Sequence, residues 1–137
     1  MTTILHVEDD PNDTLLFEHA CRKAGVVFDL QAVSDGDQAI AYLRGTNDFS
    51  DRVRHPLPKL ILLDLKMPRV SGFDVLTWLR SEVSLKRVPV VVLTSSNHDA
   101  DVKRAYDLGA TSYLVKPVGF EALVELVKTL PALVAQV

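Results

Sequence analysis

Five short runs of aliphatic and β-branched residues recur along the chain, each followed by a helix-length segment, and this alternation limits the chain to very few architectures. The runs are TILHV (3–7), FDLQAV (28–33), LILL (60–63), VPVVVL (88–93) and SYLV (112–115). LILL and VPVVVL are continuously apolar, as expected of parallel strands covered on both faces. Asp10-Pro11 supplies an N-cap and a proline for the first helical position, and that helix stops near Gly25. Phe17, Ala20, Cys21 and Ala24 have helical spacing, as do Leu76, Leu79 and the stem of Arg80 in the third helix. A fourth helix runs from about His98 to Leu108, with Gly109 as its stop. The last opens near Phe120 and presents Leu123, Leu126, Val127 and Leu130 at i, i+3, i+4 and i+7. A βα unit repeated five times predicts an α/β fold with a five-stranded parallel sheet, right-handed crossovers and helices on both faces. Ligands of such sheets bind beyond the carboxyl ends of the strands.

At 137 residues the chain suits a single domain, 1–137, with a core over 3–130 and a tail over 131–137. The formal net charge of −3 argues against nucleic acid or an anionic membrane surface as partner. No apolar run approaches the ~20 residues that span a bilayer. Met1-Thr2-Thr3-Ile4-Leu5-His6 lacks the charged start of a signal peptide, so a cytoplasmic protein is expected. Cys21 stands alone, which excludes an internal disulfide and assigns it to the core of the first helix. The connection GTNDFSDRVRHPLP (45–58) is long and polar, the kind of loop that is often functional or mobile.

Asp64 ends the greasiest of the strands. A buried carboxylate without a partner costs several kcal/mol, so something must offset its charge. The residues that follow the other strands supply the answer. Glu8, Asp9 and Asp10 follow the first strand, Thr94-Ser95-Ser96 the fourth, and Lys116-Pro117 the fifth. In a sheet of order 2-1-3-4-5 the first and third strands are neighbours, which brings Glu8, Asp9 and Asp64 to one edge. Three carboxylates cannot ionise together there unless a cation joins them, and an all-oxygen site of this kind suits Mg²⁺. Singly, each residue has a plain structural explanation: Asp10 a helix cap, Asp64 a turn, Thr94 a cap, Lys116 a solvated loop. Their order along successive strand ends is what argues for a joint role.

The stretches VEDDP (7–11), LLDLKMPRVSGFD (62–74), VVLTSS (91–96) and YLVKP (113–117) together resemble the receiver domain of two-component response regulators, over residues 3 to about 130. The resemblance implies a flavodoxin-like doubly wound fold. It implies that Asp64 accepts a phosphoryl group from a histidine kinase's phosphohistidine. Glu8, Asp9, Asp64 and the backbone carbonyl of Lys66 would hold Mg²⁺, while Thr94 and Lys116 would each contact a phosphoryl oxygen. Lys116-Pro117 would carry a cis peptide, and Gly72, Met67 and Pro68 would shape the loop. Thr94 and Tyr113 would form the switch, read out on the face of helix four, strand five and helix five. Such a protein is a phosphoacceptor rather than an enzyme in its own right.

Three features depart from the common pattern. Glu8 stands where many receivers have aspartate. Lys66 and Ser96 each lie two residues beyond Asp64 and Thr94, positions that influence phosphate lifetime in the family. After the last helix only PALVAQV remains, so no output domain is expected. That, with the 45–58 loop, looks like the single-domain regulators that accompany bacterial and cyanobacterial phytochrome kinases. The expected partners are therefore a sensor histidine kinase of phytochrome type and an unidentified downstream protein. Val124, Leu133, Val134 and Val137 read as surplus apolar surface, which predicts a homodimer through helix four, strand five, helix five and the tail. The competing readings are a phosphorylation-independent adaptor, a Mg²⁺-dependent phosphohydrolase, which would want an acid where Lys66 stands, and a flavodoxin-like binding protein. The last lacks a phosphate loop after the first strand. His6, His19, His55 and His98 share no ligand spacing, and Trp78 is assigned to packing.

Overall fold

The computed structural model describes residues 1–135; Val137, expected in a dimer contact, lies outside them. Strands β1 (Thr3–Val7), β2 (Asp29–Val33), β3 (Leu60–Leu63), β4 (Val90–Thr94) and β5 (Ser112–Val115) form one sheet in the order β2-β1-β3-β4-β5. Every pairing is parallel. All residues of the three inner strands are buried, whereas the edge strands β2 and β5 are mostly half-buried. The continuous hydrophobicity of LILL and VVVL follows from that placement, since both faces of an inner strand are covered.

Helices α1 (Pro11–Ala24), α2 (Gly36–Arg44), α3 (Gly72–Ser81), α4 (Asp99–Asp107), α5 (Phe120–Val127) and α6 (Leu130–Ala135) divide between the two faces. Successive strand residues point to opposite sides. Leu5, Val7, Ile61 and Leu63 meet Tyr42, Phe73, Leu76 and Ala105 of α2, α3 and α4. Ile4, Leu60, Leu62 and Leu93 meet Phe17, Ala20, Cys21, Val124 and Val127 of α1 and α5. Asp10 caps α1 as expected, accepting the Asn12 N–H at 2.9 Å. Trp78 is half-buried and packs under Arg44, whose guanidinium carbon lies 5.3 Å from the ring centroid.

The structure corrects three expectations. The last helix breaks in two, because Pro131 has no N–H to offer the Val127 carbonyl and sits instead in the first turn of α6. Val124 is not surplus surface: it is 3% exposed, and Leu133 and Val134 pack half-buried on the same core. The 45–58 connection is tied down rather than free. It carries a 3-10 turn over Asn47–Phe49. Arg52 donates to the carbonyls of Tyr42, Leu43 and His55 at 2.7, 2.9 and 3.2 Å. The Tyr42 hydroxyl donates to the Pro56 carbonyl at 2.8 Å, and Gln31 of β2 donates to the Arg54 carbonyl at 3.1 Å. These bonds satisfy the open carboxyl end of α2 and clamp the loop against the β2 edge.

Candidate functional site

The sheet register builds the site. Val7 pairs with Leu63, so Glu8 and Asp64, the next residues on neighbouring strands, emerge side by side. The Asp64 N–H donates to the Val7 carbonyl at 3.1 Å and fixes that juxtaposition. Glu8 and Asp64 are buried while Asp9 is exposed, and one carboxylate oxygen from each of the three lies within 4.8 Å of the others. Three hard oxygen donors at that spacing fit Mg²⁺ or Mn²⁺. Burial, outweighing the nearby ammonium, pushes the Glu8 carboxyl up to about 7. Ionising Glu8 therefore calls for more positive charge than its own neighbours provide, which a bound cation would supply.

Both oxygens of Asp64 are engaged. Its Oδ1 accepts the Thr94 hydroxyl at 2.8 Å and the Lys66 backbone N–H at 3.3 Å. Its Oδ2 lies 3.3 Å from the Lys116 ammonium. Thr94 ends the inner strand β4 and is wholly buried. Lys116 also contacts Glu8 Oε1 at 2.5 Å and Asp13 Oδ2 at 2.8 Å, and these carboxylates hold it firmly charged despite its burial. The Lys116–Pro117 bond is trans, where a cis bond was expected. Trans is the favoured state of an X-Pro bond by ~0.5–1 kcal/mol, and the lysine reaches inward without the cis form. Its N–H donates to the Thr94 carbonyl at 2.8 Å, continuing the β4–β5 pairing and placing the side chain above Asp64.

The loop after Asp64 is closely fitted. A Cβ on Gly72 would lie 2.2 Å from the Asp64 carbonyl oxygen, so only glycine lets α3 start this near β3. Met67 is buried, Pro68 is exposed, and Arg69 adopts the left-handed region at φ 63°. Tyr113 is half-buried, and its hydroxyl donates to the Ser96 carbonyl at 2.9 Å. His6 is buried against Phe17, and its protonation is pulled down to about 4 by that burial, so it is a neutral core residue.

Asp13 escaped the sequence reading. An acid in the first turn of a helix ordinarily complements the dipole, but Asp13 lies at i−4 and i−7 to the buried Phe17 and Ala20. A carboxylate on that inward stripe was the available signal.

A family model for the response regulator receiver domain matches residues 4–128. The chain belongs to this family. The receiver is 38% identical over 120 residues to a probable methanogenesis regulatory protein, FilR2, of Methanothrix harundinacea, covering 88% of this chain and 75% of that one. It is 35% identical over 125 residues to the response regulator Rcp1 of Synechocystis, covering 91% and 83%. Among solved structures, a response regulator in red light signalling of R. palustris superposes with a TM-score of 0.90 at 36% identity, covering 95% and 91%. The phosphorylated cyanobacterial phytochrome response regulator RcpA superposes with a TM-score of 0.88 at 34% identity, covering 98% and 94%. The Mn²⁺-bound form of Rcp1 gives 0.85 at 33%, covering 96% and 93%. This receiver is a two-component response regulator with the flavodoxin-like strand order, and its acidic cluster is of the kind that binds a divalent cation.

Proposed function

We propose that Asp64 is the phosphoacceptor, taking a phosphoryl group from the phosphohistidine of a sensor histidine kinase. The observation that carries this reading is the division of labour on its carboxylate: Thr94 on Oδ1 and Lys116 on Oδ2, each able to follow charge onto an incoming phosphoryl oxygen. Phosphoryl transfer asks mainly for in-line positioning and charge neutralisation, and these side chains supply both. A P–O bond forms to Asp64 as the P–N bond to the donor imidazole breaks, and the bonding pair leaves on the imidazole. Glu8, Asp9, Asp64 and the backbone carbonyl of Lys66 would hold Mg²⁺, which would supply positive charge to the acidic cluster and the transferring group. Thr94 then exchanges its bond to Asp64 for one to the phosphate, and Tyr113 turns from the Ser96 carbonyl into the space vacated. The α4–β5–α5 face is the element this biases toward a downstream protein.

The relatives named for red-light and phytochrome signalling point to a phytochrome-type kinase as donor. Among the described residues no helix is long and apolar enough to cross a membrane, and we assign the protein to the cytoplasm, where the kinase meets ATP. It is a phosphoacceptor rather than a phosphohydrolase, since Lys66 stands where a second acid would be wanted. A homodimer would use Tyr106 and Val115, which are 47% and 45% exposed on α4 and β5; light scattering at high micromolar concentration tests it, and a monomer in both phosphorylation states contradicts it. The donor is tested by mixing the protein with a phosphorylated phytochrome-type kinase. Loss of phosphate from the kinase with a matching gain on Asp64 supports the assignment, and retention on the kinase opposes it.

A further inference from the structure

Polar contacts hold much of α4. Of its nine residues only Ala105 is buried. Arg104 stacks on Phe73 of α3, its guanidinium carbon 4.1 Å from the ring centroid. The first turn is tied down by Asp101, whose Oδ2 accepts the Ser96 hydroxyl at 2.6 Å and lies 3.2 Å from Lys66 Nζ. These partners flank the site itself: Lys66 stands two residues after Asp64, and Ser96 two after Thr94. Ser96 also offers its carbonyl to Tyr113. One carboxylate on α4 therefore gathers the side chains that border the phosphoacceptor and its hydroxyl partner.

Lys66 has a second destination. Its backbone N–H donates to Asp64 Oδ1 at 3.3 Å, so its side chain begins beside the phosphoacceptor. The side chain is 59% exposed on a flexible stem, against 18% for Asp101. An ion pair with its lysine this exposed is weakly held. A phosphoryl group with nearly two negative charges is the stronger attraction for an ammonium.

We propose that Lys66 is a positioning residue that couples α4 to the phosphate, pairing with Asp101 while Asp64 is bare and with a phosphoryl oxygen once it is modified. The proposal rests on the assignment of Asp64 as phosphoacceptor. When Lys66 leaves, the Asp101 carboxylate keeps only its bond from the Ser96 hydroxyl, and the first turn of α4 is freer to move. Linkage makes the coupling reciprocal: a partner that draws Asp101 away strengthens the contact of Lys66 with the phosphoryl group, and the phosphate loosens α4.

A double-mutant cycle on the binding of beryllofluoride with Mg²⁺, read by calorimetry, tests this. Asp101→Asn keeps an acceptor for Ser96 but removes the charge that competes for Lys66. It is expected to tighten binding about threefold, the size an exposed ion pair allows, and Lys66→Gln to weaken it by a similar factor. In the double variant the gain from Asp101→Asn disappears, and only Asp101→Asn in the Lys66 background shifts the α4 amide resonances toward their bound positions. Tightening that persists without Lys66, or no tightening in its presence, overturns the latch while leaving the phosphoacceptor intact. Wild-type protein that binds no beryllofluoride overturns the phosphoacceptor assignment, and the latch with it.

Discussion

Lys116 and Asp13 are 103 residues apart in the chain, and their Nζ and Oδ2 atoms meet at 2.8 Å. With Glu8 at 2.5 Å and Asp64 at 3.3 Å, the three N–H bonds of the ammonium each have an acceptor. In the proposed transfer Asp13 keeps its place, so it would steady the lysine while Glu8 and Asp64 change partners. Asp13→Asn is expected to slow phosphorylation by a small-molecule donor no more than about fivefold, as a partly exposed ion pair implies. Lys116→Ala should slow it by about 10²-fold or more, as loss of an oxyanion-type donor does. Time courses of intact mass measure both, and equal losses would remove the distinction drawn between them.

Two buried groups give opposing pH dependences. Burial moves Glu8 from 4.5 up to about 7 and His6 from 6.5 down to about 4. Between those ordinary values, rising pH ionises Glu8 in the unfolded chain but not in the folded one, so stability falls. Over the same window the unfolded chain holds a proton on His6 that the folded one lacks, so stability rises with pH. Without divalent metal the two slopes cancel, and urea midpoints should change little from pH 4.5 to 6.5. Glu8→Gln exposes the His6 slope, up to ~1.4 kcal/mol per pH unit. A variant as flat as the wild type would contradict these assignments.

Gly72 tests how closely the phosphoacceptor loop is fitted. An added Cβ would meet the Asp64 carbonyl oxygen at 2.2 Å and Leu65 Cα at 2.7 Å, both backbone atoms that cannot swing aside. Gly72→Ala is expected to cost about 3 kcal/mol, the upper end for overpacking. Phosphorylation of the folded fraction should fall as well, because the clash displaces Asp64 itself. Urea unfolding with parallel phosphorylation assays checks this; unchanged values for both would show that the loop has slack.

Arg52 separates scaffold from chemistry. Its three bonds to carbonyls are charge-assisted and half-buried, so Arg52→Ala should cost ~1.5–3 kcal/mol of stability. The phosphorylation rate should not change, since the clamp faces α2 and β2. A large rate loss at unchanged stability would place the 45–58 loop in the mechanism instead.

The sheet was legible because inner strands must be largely apolar, and Thr3–Val7 and Leu60–Leu63 stand where their residues predict, as does the edge strand Ser112–Val115. Glu8, Asp9, Asp64, Thr94 and Lys116 were legible because strand ends place them, and the structure brings all five together. What escaped depended on the chain folding back. Nothing local to Arg52 says that its guanidinium closes α2, and Asp101 reads as an ordinary helix-start acid until Lys66 is seen 3.2 Å away. Val124 read as spare surface because only the packing of α5 against α1 shows it to be core.

The proposed assignment of Asp64 as phosphoacceptor is open to direct test. Intact-mass analysis after incubation with Mg²⁺ and a small-molecule phosphodonor, with calorimetry of beryllofluoride binding in parallel, checks it on wild type and Asp64→Asn. One phosphoryl adduct that needs Mg²⁺ and is absent in the variant is expected, with beryllofluoride binding lost in parallel. A phosphoryl adduct that persists in Asp64→Asn, or folded wild-type protein that takes neither phosphate nor beryllofluoride, would contradict it.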